Sequence, residues 1–490
     1  MRATRLGGSV LAIALLGAGG CGDGDSGGKP TPTVLPPTVG NALRVTGASP
    51  YPAGCAPASG IYLGAEVEAH VAVDPTDPQH LVGAFQQDRS SGGGALGLRT
   101  AVSRDGGATW ALGQAAFSRC SGGTAANGGD YDRATDPWVA FSPDGTVHHV
   151  GFSLDVTTHR QAIIASRSVD GGLTWSTPVA VATAATADLG LDKPTITADP
   201  LDPRRVYATW DRLTAVNNPD QTQVTGPAWF ARSVDGGVSW QTPAVIFDPG
   251  KDEQTIGNII VVLPDGTLVD VFTWVTSTSS TSPGTTIAAT RSTDGGDHWS
   301  TPVVVSGFAA ALIVPPGTGR GIRDGSLLFT TAVDAANAKV WVAWEDAGFS
   351  SGARNGIALA SSADGGLTWS TPVQVNQDPS VQAFTPAVAV GPSGEVAVTY
   401  YDLRGATLQN TWTTLWLATS KDGGATFTER AAGERFELRA APIVGNAFFL
   451  GDYSGLAAAG EGAFAPFFVM TNEGESQNPT DVFAARVLSP

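Results

Sequence analysis

The sequence predicts an all-β fold assembled from repeated units of four antiparallel strands, and three observations carry that prediction. An octapeptide of the pattern Ser-x-Asp-Gly-Gly-x-Thr/Ser-Trp/Phe occurs six times, at Ser103–Trp110, Ser168–Trp175, Ser233–Trp240, Ser292–Trp299, Ser362–Trp369 and Ser420–Phe427, and only His298 departs from it. Counted from serine to serine, the intervals are 65, 65, 59, 70 and 58 residues, the mark of a repeat architecture. A second turn cluster, such as Ser142-Pro143-Asp144-Gly145 or Pro264-Asp265-Gly266, stands earlier in the units between short apolar runs, which is a hairpin signal. Two strands around each octapeptide and two around the earlier turn make the blade of a β-propeller.

The chain ends lie outside that pattern. Arg2 and Arg5 precede Val10–Leu16, an apolar run too short to span a bilayer, so residues 1–20 read as a signal peptide. Ala18-Gly19-Gly20-Cys21 resembles a bacterial lipobox, which implies lipidation of Cys21 and a cell-envelope location; plain secretion is the alternative. Residues 21–42, rich in Gly, Ser, Pro and Thr, read as a flexible tether, leaving 43–490 for the propeller. Cys55 and Cys120 flank the first octapeptide of an exported chain, where oxidation is expected. A disulfide between them is predicted, with two separate thiols as the alternative. A net charge of −17, from 45 acidic and 28 basic residues, lacks the basic footprint that nucleic acid requires. The chain is expected to work as a monomer that meets the membrane only through its anchor.

Unit by unit, the strand pairs follow the same order. Val71–Asp74 and His80–Phe85 precede the first octapeptide, and Trp138–Phe141 and Val147–Phe152 precede the second. Thr195–Ala198 with Val206–Trp210, then Ile259–Leu263, Leu328–Val333 and Ala387–Val390, continue the series. A last unit at Gly455–Ala459, Ala465–Val469 and Val482–Val487 lacks the octapeptide and shows three strands. Leu43–Thr46 near the N-terminus is expected to supply its fourth strand and so to close the ring without exposed edges. This count gives seven blades, with six as the alternative. Within each octapeptide the Asp carboxylate accepts backbone N–H groups and Gly permits positive φ. The closing Trp is expected to pack against the next repeat.

The six octapeptides resemble the Asp-box (BNR) repeat of sialidases and related propellers. In that family the box is an outer turn remote from the active site, so the resemblance speaks to fold, while function has to come from the site itself. Sialidases have six blades, one fewer than counted here.

Propeller topology separates two faces, the boxes on one and the entries to the innermost strands on the other. Polar residues gather at the second. Aligning units on the turn proline or its equivalent gives an inner column of Glu68, Asp136, Lys193, Gly257, Leu328, Thr385 and Tyr453. The family uses a Tyr nucleophile, a Glu that activates it, an Asp acid/base and three substrate-gripping Arg. The resemblance therefore implies Tyr453 as nucleophile, Glu68 as its base and Asp136 as acid, with Arg89, Arg133, Arg212 or Arg404 as clamps. Asp132, Asp192, Lys193, Asp211, Arg323 and Asp402 complete the rim as ligand-binding candidates. The family's N-terminal Arg-Ile-Pro-type motif is absent, and the arginine spacing does not reproduce its triad. Two classes consequently stand: a noncatalytic propeller binding glycan or surface protein, and an exo-sialidase-like glycoside hydrolase. A binder is expected to show a shallow rim or a channel plugged by the insertion Gly307–Ile322. No cofactor is expected. Structural calcium at acidic pairs such as Asp130 and Asp132 is an open alternative, and the six histidines show no metal-ligand spacing.

Overall fold

The computed structural model describes residues 38–52, 54–55, 59–214, 224–276 and 284–488. The segment read as a signal peptide, the lipidation candidate Cys21 and the segment read as a tether as far as residue 37 lie outside them. The described residues form strands and two single-turn 3₁₀ helices, Gly348–Ser350 and Leu438–Ala440.

The strands pair by meander. Glu66–Asp74, Asp77–Arg89, Ala95–Ser103 and Ala111–Gln114 make the first antiparallel set, and the pattern of four repeats along the chain. The innermost strands of the successive sets are Glu66–Asp74, Arg133–Phe141, Leu189–Ala198, Gln254–Val262, Phe329–Asp334, Ala383–Val390 and Gly455–Ala458. Each packs against the next, and the last returns to the first, so the inner strands line one axis and the molecule is a propeller. Leu43 pairs with Ala484 and Arg44 with Phe483, which makes an N-terminal strand the outer edge of the last set. The first and last strands among the described residues thus share one sheet. Cys55 and Cys120 are joined by a disulfide, Cα atoms 5.7 Å apart, tying the N-terminal segment to the first set.

The octapeptides fold alike. In Ser168–Trp175 the Gly172 N–H donates to Ser168 Oγ at 2.7 Å, while Asp170 accepts from Thr174 N at 2.9 Å and Thr174 Oγ1 at 2.6 Å. Burial is the largest single influence and pushes the Asp170 carboxyl up, but these bonds together outweigh it and hold the group down at about 2. The aromatic residue packs backwards, contrary to the direction expected from sequence. Trp175 Nε1 donates to Thr100 Oγ1 of the preceding set at 3.2 Å, Trp299 lies 5.8 Å from Phe230, and Trp110 lies 5.3 Å from Phe467 of the last set. The reason is the glycine pair: at Gly172 a Cβ would meet Val82 at 2.8 Å, so the turn itself leans on the previous blade and its Trp follows.

Candidate functional site

Five of the inner strands carry a bulge near their entry, at Val67/His70, Thr135/Trp138, Asp192/Thr195, Ile256/Ile259 and Phe384/Ala387. The residue inside each bulge is left-handed: Glu68 (φ 54°), Asp136 (φ 53°), Lys193 (φ 47°), Gly257 (φ 73°) and Thr385 (φ 50°). These are members of the column obtained from the turn alignment. For a residue with a side chain this conformation is disfavoured by about 1–2 kcal/mol, and a bulge re-aims the side chain it carries. Four charged or hydroxylated side chains held at that energy around one axis mark a built centre.

Lys193 is its hub. Its Nζ lies 2.8 Å from Asp136 Oδ1, 2.7 Å from Asp452 Oδ2 and 3.9 Å from Glu68 Oε1. Burial alone would discharge the amine, but Asp136, Asp452 and Glu68 outweigh it and raise its affinity for a proton. Asp452 also takes both arms of Arg323, Nε to Oδ1 at 2.9 Å and Nη2 to Oδ2 at 2.6 Å. Burial opposes its charge, yet Lys193 and Arg323 prevail and keep Asp452 ionised far below the ordinary range. Chain geometry places this pair. Ile322–Arg323 runs parallel to Ala447–Phe449, so Arg323 lies 4.9 Å over the Phe449 ring, whose centroid is 4.5 Å from the Arg89 guanidinium. The Glu68 N–H donates to Leu450 O at 3.1 Å, and a Cβ on Gly325 would fall 2.1 Å from Asp452 O. Only glycine admits that approach.

Glu68 accepts from Gln86 Nε2, which also donates to Thr135 Oγ1 at 2.8 Å, and Arg89 Nη1 donates to Gln86 Oε1 at 2.6 Å. Burial pushes the Glu68 carboxyl up to about 7, with Lys193 pulling down and Asp136 and Asp452 pushing further up. The Tyr453 hydroxyl donates to Pro137 O at 3.1 Å, and its ring meets Trp138 edge-on at 5.4 Å. Burial and the carboxylates of Glu68, Asp136 and Asp452 hold the phenol protonated well above its ordinary value. Tyr453 thus bonds a carbonyl and Glu68 an amide, with no hydrogen bond between the two among the described residues, and Lys193 stands among the carboxylates.

Above this network opens a cavity of about 510 Å³ whose wall includes Asp192, Lys193, Leu312, Arg323, Asp324 and Asp452. Further along the inner strands, between Asp136, Trp138, Gly257, Leu328 and Tyr453, the free space narrows to about 20 Å³, room for a single water. The insertion Gly307–Ile322 does not plug the channel; its Ala310, Ala311 and Leu312 wall the cavity, anchored where Asn355 exchanges hydrogen bonds with the Ala311 backbone at 2.7 and 3.0 Å. Two carboxyls of the wall are raised to about 6. For Asp192 burial leads, followed by Asp136; for Asp324 burial leads, with Asp452 adding to it.

The remaining rim candidates stand elsewhere. Asp132 and Asp130, the acidic pair considered for calcium, face the Arg119 guanidinium, with Nε to Asp130 Oδ1 at 2.6 Å. Among the described residues no group of three or more His, Cys, Asp or Glu is arranged to hold a metal ion. Arg133 donates to Gly93 O at 2.8 Å, and Arg212 stacks 4.8 Å over Trp229. Asp211 is buried, accepting from Gly257 N at 3.0 Å and Asn258 Nδ2 at 2.7 Å. Arg404 braces Asp402 at 2.5 Å and Glu429 at 2.7 Å beneath Trp416. Of the four clamp candidates, Arg89 alone joins the centre, buried beneath it; the arginine at the cavity is Arg323. Gln86, Phe449 and the role of Asp452 had no signal in spacing, because each reaches the axis from a strand exit or from the last unit's entry loop.

No protein-family model matches the chain, and no curated protein sequence does. Solved structures similar to it include a Hadza microbial sialidase at 15% identity, covering 83% of this chain and 76% of that one, with a TM-score of 0.47. A Penicillium chrysogenum α-L-arabinanase complexed with arabinobiose is 13% identical over 91% of this chain and 98% of its own, TM-score 0.47. A leech intramolecular trans-sialidase is 12% identical over 93% and 99%, TM-score 0.45.

Proposed function

We propose that the chain is an exported, lipid-anchored, seven-bladed Asp-box propeller that binds a glycan in its central cavity and does not use Tyr453 as a nucleophile. The seven inner strands and the six box turns support the blade count, and Cys21 supports the anchor. One observation carries the functional reading: the cavity of about 510 Å³ falls in the size range of small-ligand sites, and its charged groups are fixed by one another. Lys193 and Arg323 are spent on Asp136 and Asp452, and the Tyr453 hydroxyl is spent on Pro137 O. A rigid wall of oriented donors and acceptors is what recognition requires, whereas covalent catalysis requires a nucleophile within reach of its base.

A second reading rests on a different feature. Asp192 and Asp324, raised to about 6, share the cavity wall with Asp452, which stays ionised. Carboxyls pushed apart in this way are the pattern of an acid and a charged stabiliser in glycoside hydrolysis. Incubating the purified protein with fluorogenic sialosides and arabinofuranosides, beside retention on a glycan array, separates the two. Retention without release, unchanged in Tyr453→Phe, is the expected result. Release abolished by Tyr453→Phe would overturn the binding assignment, and release abolished by Asp192→Asn or Asp324→Asn but not by Tyr453→Phe would establish the second reading.

A further inference from the structure

We infer that the central cavity selects a ligand carrying a positive charge, of the amino-sugar class, over carboxylated sugars; this rests on the ligand-binding reading above. The charge count comes first. Five carboxyls surround the axis at the cavity floor and wall: Glu68, Asp136, Asp192, Asp324 and Asp452. Three cations face them: Arg89, Lys193 and Arg323. When every group is ionised, five against three leaves the centre at −2.

The distribution sharpens the count. Arg89 is 2% exposed and lies behind Gln86 and the Phe449 ring, out of a ligand's reach. Lys193 is clamped between Asp136 and Asp452. Arg323 engages Asp452 through Nε and Nη2, which neutralises the guanidinium most accessible from the cavity. Asp192 is different: its Oδ1 accepts only the N–H of Lys193, at 3.0 Å, and among the described residues its Oδ2 has no hydrogen-bond partner. Asp324, 7% exposed, accepts Ser326 N at 3.1 Å on the same wall. The surplus charge therefore sits on the wall, where a bound ligand would meet it, and the compensated charge sits beneath. An entering carboxylate would find an arginine already engaged by Asp452 through two of its three nitrogens, and would approach Asp192 and Asp324 as a like charge. An entering ammonium supplies the missing cation and gives Asp192 Oδ2 a donor.

The test is calorimetric titration of the full chain at pH 7 with three disaccharide-scale probes: chitobiose with free amines, its N,N′-diacetyl form, and 3′-sialyllactose. The amine form is expected to bind at least about tenfold more tightly than the acetylated form, the order of one well-placed ion pair, with a margin that shrinks as salt is added. Asp192→Asn should reduce that margin to within about threefold. Asp324→Asn provides a second variant should the first fail to fold. Equal affinity for the amine and acetyl forms, or tighter binding of 3′-sialyllactose than of the amine, would overturn the charge preference alone. Absence of heat and of competition from all three would overturn it together with the ligand-binding reading beneath it.

Discussion

Replacing Glu68 with glutamine removes one buried carboxyl while keeping its length, its left-handed backbone at φ 54° and an oxygen that accepts from Gln86. The buried acid holds its proton up to about 7, against an ordinary value of 4.5. Across that interval the folded protein binds a proton that the unfolded chain has released, so folding is favoured on the acid side and loses free energy as pH rises from 4.5 to about 7. Above that window the loss is complete and amounts to at most about 3 kcal/mol, taking 1.36 kcal/mol per tenfold change in proton affinity. Glutamine has no proton to lose. Urea unfolding at pH 4.5 and 8.5 should therefore find Glu68→Gln within about 0.5 kcal/mol of the parent at the lower pH and more stable by about 1–3 kcal/mol at the higher one. A variant less stable than the parent at pH 8.5, or offset by the same amount at both pH values, would refute the reasoning, since it would mean that the Glu68 carboxylate is a net stabilising partner of Lys193.

Three further outcomes follow from local geometry. Gly257→Ala should destabilise by about 2 kcal/mol, because Gly257 is left-handed at φ 73° and its Cβ would lie 2.7 Å from Leu328 Cδ2; a melting temperature equal to the parent's would contradict this. Reducing the Cys55–Cys120 bridge, or replacing both cysteines with serine, should cost about 4 kcal/mol through the 65-residue loop it closes, read as a fall in the urea midpoint. The box aspartates Asp105, Asp170, Asp364 and Asp422 are held down at about 2, so their turns contribute stability above the ordinary 3.8 and lose it only as pH falls toward 2. Asp170→Ala should flatten the acid limb of the stability profile between pH 4 and 2 and lower stability at pH 7 by about 1 kcal/mol, the contribution of exposed turn hydrogen bonds.

The features legible in the sequence share a physical cause. A box turn needs its Ser, Asp and two glycines at fixed offsets, so Ser168–Trp175 and its five counterparts betray the hairpins directly. The inner column was legible because strand length from the Pro-Asp-Gly turn is nearly constant, which put Glu68, Asp136, Lys193, Gly257 and Thr385 at one height before any bulge was known. Leu43–Arg44 could be assigned to the last sheet because that unit had three strands and an open edge. Side-chain reach leaves no such trace. Arg89, Arg212, Arg323 and Arg404 all follow or precede strands in the same way, yet only the parallel pairing of Ile322–Arg323 with Ala447–Phe449 turns one of them to the cavity. The Trp direction depended on which blade lies under the glycine pair, a contact between sequentially distant strands.

The central claim is that ligand recognition occurs at the axial cavity walled by Arg323 and not at the outer rim where Arg404 sits. The direct measurement is retention on a glycan array by Asp192→Ala beside Arg404→Ala, each checked for folding by its unfolding midpoint. Loss of retention in Asp192→Ala with retention preserved in Arg404→Ala is the predicted result; preserved retention in Asp192→Ala with loss in Arg404→Ala would contradict it.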